Sequence, residues 1–274
     1  MKKFSKLIPA FCMLLISAML MGTSTFAWFS MNTQVTATGM QVKAQAEGGI
    51  VISNAKDGIE WKASATASNS TLTELIPTST ANATNWYHAV SDDAESAKKE
   101  QPAEGAYTLL SVTENAGAGN VSMGTDTKAI YLVNSFYIKS STEAMTLTSP
   151  GLYINNVTVT LPGNQKTENL NKALRVAVVM NDGTTTVTKI FAPVSGGETS
   201  YKVNNTTTVE AIAAGTKNTS TNYLSIPAYS STSPIEAKIY CYFEGEDENC
   251  KSANLAAVID ELKVSVQFGT TAIS

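Results

Sequence analysis

Apolar and polar residues alternate along much of the chain, and helical spacing is nearly absent. In Leu262–Phe268 (LKVSVQF), Leu262, Val264, Val266 and Phe268 fall on one face and Lys263, Ser265 and Gln267 on the other. That period of two is the signature of a strand with one buried side. Leu152–Leu161 alternates similarly, with Tyr153, Asn155, Val157, Val159 and Leu161 on one face. Ala129–Lys139 (AIYLVNSFYIK) and Ile235–Glu244 (IEAKIYCYFE) are denser, β-branched and aromatic, as central strands are. Leu174–Met180, then Asn181-Asp182-Gly183, then Thr185–Phe191 predicts an antiparallel hairpin. Ile50–Ser53 adds a short strand, and Lys56-Asp57-Gly58 a turn leading into Ile59–Ala65.

The intervening stretches are rich in Ser, Thr, Asn, Ala and Gly. Residues 64–84 and 195–222 read as long surface loops, and the glycine-bearing residues 114–127 as a flexible connection. Ser91–Gln101 has the start and end signals of a short helix but no apolar face, and Ser252–Glu261 leaves room for a helical turn or two. The expected fold class is therefore all-β: an antiparallel jelly-roll-like sandwich with long Ser/Thr/Asn-rich loops and one or two short helices.

The first residues follow a different pattern. Lys2, Lys3 and Lys6 precede an apolar run from Leu7 to Met21, and Thr25 and Ala27 supply small residues at the −3 and −1 positions of a signal-peptidase site. The run of about 15 residues is shorter than the ~20 that span a bilayer as a helix. This predicts a cleaved signal peptide over 1–27, cut between Ala27 and Trp28, and a secreted product. Residues 28–47 then form an N-terminal strand, with Trp28, Phe29, Val35, Met40 and Val42 as its apolar positions, ahead of a single β-sandwich domain over 48–274. A terminal strand of this kind pairs within its own domain or adds to the sheet of a neighbour.

Composition narrows the function. Removing residues 1–27 takes away three lysines, leaving 16 basic against 23 acidic residues and a formal charge of −7. An acidic chain with one arginine, Arg175, and no basic stripe excludes nucleic acid as a partner. Beyond the signal, two cysteines remain, Cys241 and Cys250, and a close pair in an exported protein predicts a disulfide.

Few residues offer chemistry. His88 is the only histidine, and no Gly-x-Ser-x-Gly elbow accompanies it. Nor can one histidine and two mutually pairing cysteines make a zinc site. The expectation is no catalytic residue and no cofactor. Trp86-Tyr87-His88 can pack on the core or stack on a sugar. Glu244, Glu246, Asp247 and Glu248 make an acidic turn that reads either as a solvated loop or as an oxygen-ligand calcium site.

Two stretches carry a family resemblance. The segment GTSTFAWFSMNTQVTATGMQV (from Gly22) resembles the start of TasA/camelysin-type exported proteins of Gram-positive bacteria, and KIYCYFEGEDENCKS (Lys238–Ser252) is similar to the late strand and acidic turn of related secreted proteins. The resemblance covers about the first 20 mature residues and the last 40. It implies a jelly-roll-like subunit, processed by a dedicated signal peptidase, that self-associates into extracellular fibres of a biofilm matrix by donating its N-terminal strand. A matrix or cell-wall partner is also implied. The rival expectation is a monomeric surface adhesin, a glycan- or calcium-binding β-sandwich.

Overall fold

The computed structural model describes residues 36–38, 40–47, 49–58, 60–69, 75–89, 107–123, 126–141, 151–160, 170–204, 206–216, 233–247, 249–250, 258–260 and 262–270. It is almost entirely β. In chain order the strands begin with β1 (Thr36–Thr38), β2 (Met40–Ala46), β3 (Ile50–Ser53), β4 (Ser64–Asn69), β5 (Tyr87–Ala89) and β6 (Tyr107–Leu109). There follow β7 (Thr113–Asn115), β8 (Ala118–Met123), β9 (Asp126–Ser140), β10 (Tyr153–Thr160), β11 (Leu174–Asn181) and β12 (Thr186–Ala192). The last are β13 (Ser200–Val203), β14 (Thr207–Glu210), β15 (Ile212–Ala213), β16 (Ile235–Phe243), β17 (Val258–Asp260) and β18 (Lys263–Gly269).

Two sheets face each other. A four-stranded sheet runs β10-β18-β2-β4, and an eight-stranded one runs β15-β12-β11-β16-β9-β8-β7 with β3 beside the far end of β9. Leu262, Val264, Val266 and Phe268 are all buried, so the alternation around β18 is realised. They meet Val42 and Ala44 of β2 and, from the larger sheet, Ile52, Leu132, Phe136, Ile138, Val176, Val178, Ile239, Cys241 and Phe243. This is the core between the sheets, formed because each strand has one apolar face to remove from water.

The middle of the larger sheet is buried on both sides, which explains the unbroken apolar runs of β11 and β16. Their other faces, with Ala177, Tyr240 and Tyr242, join Ile130, Tyr131, Trp86, Tyr201, Val203 and Val209 in an outer core. Its cover is the strap Leu75–Ala89 and the β13–β14 hairpin. The expected surface loop over 64–84 is thus corrected. Residues 64–69 form an edge strand, and Leu75, Ile76, Thr78, Ser79 and Thr80 are buried.

Other readings shift for local reasons. β11 and β12 form the expected hairpin, with Asn181 opposite Thr186. The Asp182 carboxylate accepts from the Thr184 and Thr185 amides, while Gly183 takes φ 92°. The alternation of β10 is broken by a bulge between Ile154 and Asn156, which buries Ile154, Asn155 and Val157. Asn115–Ala118 is a tight hairpin turn rather than part of a flexible connection, Ala116 and Gly117 both having positive φ. Among the described residues the one helical element is a 3-10 turn, Leu170–Ala173. Residues 258–260, expected within a helical turn, are strand β17, while residues 91–101 lie outside the described residues.

Candidate functional site

The acidic turn that follows β16 is the most concentrated chemistry among the described residues. It is neither solvated nor open. Glu244 and Asp247 are fully buried and Glu246 nearly so, because β16 runs into the outer core and carries its polar end beneath the strap. The cation that meets them is Arg175, at the start of β11 and itself fully buried. A guanidinium in such a place needs an anion and several acceptors, since leaving either partner alone costs several kcal/mol. It has both. Nη2 of Arg175 donates to Asp247 Oδ2 at 2.6 Å and to the Glu198 carbonyl, and Nη1 donates to the carbonyls of Lys172 and Leu174 at 2.8 and 3.0 Å. Tyr201 lies under the guanidinium, 5.4 Å from ring centroid to Cζ. Burial works against the charge, while Tyr201, Asp247 and Glu244 favour it, and the balance holds the group above its ordinary value.

Asp247 is also an organiser of the backbone. Its Oδ2 accepts from the Glu198 amide at 3.0 Å, and its Oδ1 from the amide and side chain of Asn249 at 2.7 and 2.8 Å. Glu244 Oε1 accepts from the Ser79 hydroxyl and, at 3.0 Å, from the Glu246 amide. Its Oε2 is buried with no hydrogen-bond partner among the described residues. Burial pushes this carboxyl up to about 7. Ser79, the charge of Arg175 and the Glu246 amide pull it back, and the charge of Glu246 adds to the rise.

Two of the calcium candidates face different partners. Asp247 faces Arg175, Glu244 faces Ser79, and Glu248 lies outside the described residues. Among the described residues no group of three or more His, Cys, Asp or Glu side chains is arranged to hold a metal.

The expected disulfide is not formed. Cys241 and Cys250 are each buried in the core between the sheets and are not bonded to one another. Cys241 sits mid-strand between Val176 of β11 and Leu132 of β9. Burial pushes its thiol up to about 12, which leaves little thiolate to form a bridge.

Trp86 is fully buried and packs on Tyr131 at 4.4 Å between ring centroids and edge-on to Tyr242 at 4.9 Å. Of the two readings of that cluster, packing is the one the geometry gives. Tyr131 and Tyr240 both donate to Glu114 Oε1, at 3.2 and 3.3 Å, and Lys238 pairs with its other oxygen at 3.0 Å. Burial, followed by the charge of Glu114, raises both phenols. His88 lies on the strap with Nδ1 3.4 Å from the Pro77 carbonyl.

Part of the expected N-terminal strand lies among the described residues. β2 lies inside its own sheet, parallel to β18 with Val42 opposite Val264, and antiparallel to β4 with Val42 opposite Ala67. Met40 and Val42 therefore belong to this domain's ladder, and β1 pairs in parallel with β17. The cleavage positions Ala27 and Trp28, together with Phe29 and Val35, lie outside the described residues.

The sequence reading passed over Arg175 and Ser79. The signal for Arg175 was present, as the chain's one arginine stands within an otherwise apolar strand. Nothing marks Ser79 in a run of Ser, Thr and Asn. Comparison of the chain with family models, with curated proteins and with solved structures returned no match.

Proposed function

We propose that the chain is a secreted, non-enzymatic structural subunit of an extracellular fibre at the cell surface or in a biofilm matrix, the N-terminal segment of one subunit adding to an open sheet edge of the next. The observation that supports this most directly is the character of the four-stranded sheet's edges. Among the described residues β4 pairs only with β2, and β10 only with β18. Their sequences, SATASN and YINNVTVT, contain no charge and no proline. Edges of monomeric proteins are ordinarily guarded by lysine, proline or a cover, because open backbone groups recruit another strand. Among the described residues the devices of this kind are a bulge in β10 and, on β4, the Asn54 side chain, which donates to the Thr66 carbonyl at 2.9 Å.

The resemblance to TasA-type proteins points the same way, with one revision. Because residues 40–46 occupy an interior position in their own sheet, the segment left to reach a neighbour is 28–35. A contact between one end of a subunit and a different edge of the next does not close on itself, and so propagates as a filament.

The test is electron microscopy with size-exclusion chromatography on residues 28–274, beside a chain starting at Thr36 and a Thr66→Lys variant that puts a charge on β4. Filaments from the first and monomers from the other two are expected. A folded monomer from all three, across concentration, would favour the surface binding module, and retention of a glycan or calcium would then identify its class.

A further inference from the structure

We propose that Trp86, Tyr131 and Glu114 form a one-electron relay, in which a hole placed on the buried indole by an oxidising radical passes to a phenol hydrogen-bonded to a carboxylate at the surface. The geometry supplies each part. Trp86 is fully buried, and Tyr131 packs on it with 4.4 Å between ring centroids. Tyr131 donates its hydroxyl to Glu114 Oε1 at 3.2 Å. The Glu114 side chain is 39% exposed and is held by Lys238, whose ammonium meets Oε2 at 3.0 Å. Tyr240 is a second carrier. Its ring centroid lies 5.1 Å from that of Tyr131 and 6.0 Å from that of Trp86, and its hydroxyl donates to the same Oε1 at 3.3 Å.

A phenol that loses an electron becomes a strong acid, so its oxidation is easy only where a base takes the proton in the same event. A one-electron oxidant outside the protein, such as an oxygen-centred radical, first takes an electron from Trp86 and leaves the indole radical cation. Tyr131 then returns an electron to the indole. Its O–H bond breaks, and the proton moves to Glu114 Oε1. The indole is restored, and the hole is now a neutral Tyr131 phenoxyl radical. The new carboxylic acid gives its proton to water, so the net change is one electron to the oxidant and one proton to solvent. Tyr242 supplies the contrast within the same cluster. Its ring meets Trp86 edge-on at 4.9 Å, but its hydroxyl has no hydrogen-bond partner among the described residues. Two tyrosines are therefore close to the indole, and the carboxylate distinguishes Tyr131 from Tyr242. The relay protects the outer core, because an oxygen added to Trp86 would leave a polar group buried beneath the strap.

The experiment exposes the full chain to tris(bipyridine)ruthenium(III), generated by a brief flash of light, and measures oxidised Trp86 by peptide mass spectrometry. Trp61, which packs over Lys139 instead, serves as the internal reference. Tyr131→Phe keeps the ring and removes the O–H, and should raise the Trp86 yield relative to Trp61 several-fold. Glu114→Gln removes the acceptor of both phenols and should raise it at least as far. Tyr242→Phe should leave it unchanged. An unchanged yield in either of the first two variants would overturn the proposal. So would an equal rise in Tyr242→Phe, because looser packing around the indole would then account for the effect. Should Tyr131→Phe or Glu114→Gln fail to fold, the unaltered chain decides the matter in heavy water. A deuteron leaves the phenol more slowly than a proton, so the relative Trp86 yield should rise there, and equal yields in the two solvents would reject the relay.

Discussion

At the scale of single residues the fold depends on a few positions where chemistry and space leave no slack. Arg175 is the clearest. Replacing it with methionine keeps much of the volume but leaves Asp247 buried without its cation, while the carbonyls of Lys172, Leu174 and Glu198 lose their donor. Breaking one side of a buried pair typically costs about 3–5 kcal/mol. Arg175→Met should therefore lower the free energy of unfolding by that amount, read as a lower urea midpoint with an unchanged slope, and a loss below about 1 kcal/mol would show that the pair contributes little. Gly119 tests space instead of charge. It lies opposite Tyr131 in the β8–β9 ladder, and a Cβ there would overlap the Tyr131 ring. The ring cannot retreat, because it is stacked on Trp86 and its hydroxyl is tied to Glu114. Gly119→Ala should cost about 1–3 kcal/mol by overpacking, visible as a lower thermal midpoint with a disturbed aromatic circular dichroism signal.

At the scale of elements, what could be read in advance followed from how much apolar pattern a segment carries. β9, β11, β12, β16 and β18 were legible because long runs of Val, Ile and aromatic residues have no other way to be buried, and Asn181-Asp182-Gly183 specified its turn through side-chain bonds to the backbone. β4 and the strap were not legible. SATASN buries little and pairs through its backbone, and Thr78, Ser79 and Thr80 are buried for hydrogen bonds and coverage, which leave no hydrophobic signature. The acidic turn was misread in the same way, since four carboxyl residues in five positions look solvated unless the one distant arginine is known to meet them. β2 combines both cases. Its apolar residues were visible, but only the ladders to β18 and β4 show that it is interior. This predicts that a chain starting at Gly48 fails to fold, whereas one starting at Thr36 folds. Proton NMR distinguishes the two by dispersion, and a folded product from Gly48 would mean that the four-stranded sheet closes without its second strand.

At the scale of the whole molecule, the strap over the end of β16 buries a titratable carboxyl, Glu244, and this couples stability to pH. Glu244 has a folded-state value of about 7 against an ordinary 4.5, raised by burial. Between those values the folded protein binds more protons than the unfolded chain, so the contribution is fully present below about 4.5 and is lost as pH rises toward 7. Across that window the free energy of unfolding should fall by roughly 2–3 kcal/mol. The opposite trend belongs to groups such as Asp182, whose carboxylate is held below its ordinary range by the Thr185 and Thr184 amides and which loses its contribution only in stronger acid. Stability should therefore peak on the mildly acidic side of neutrality. Urea unfolding from pH 4.5 to 8.5 measures the slope, and Glu244→Gln should flatten it and be the more stable form at pH 8. Stability that rises through neutrality, or a slope that survives in Glu244→Gln, would place the proton linkage elsewhere in the fold.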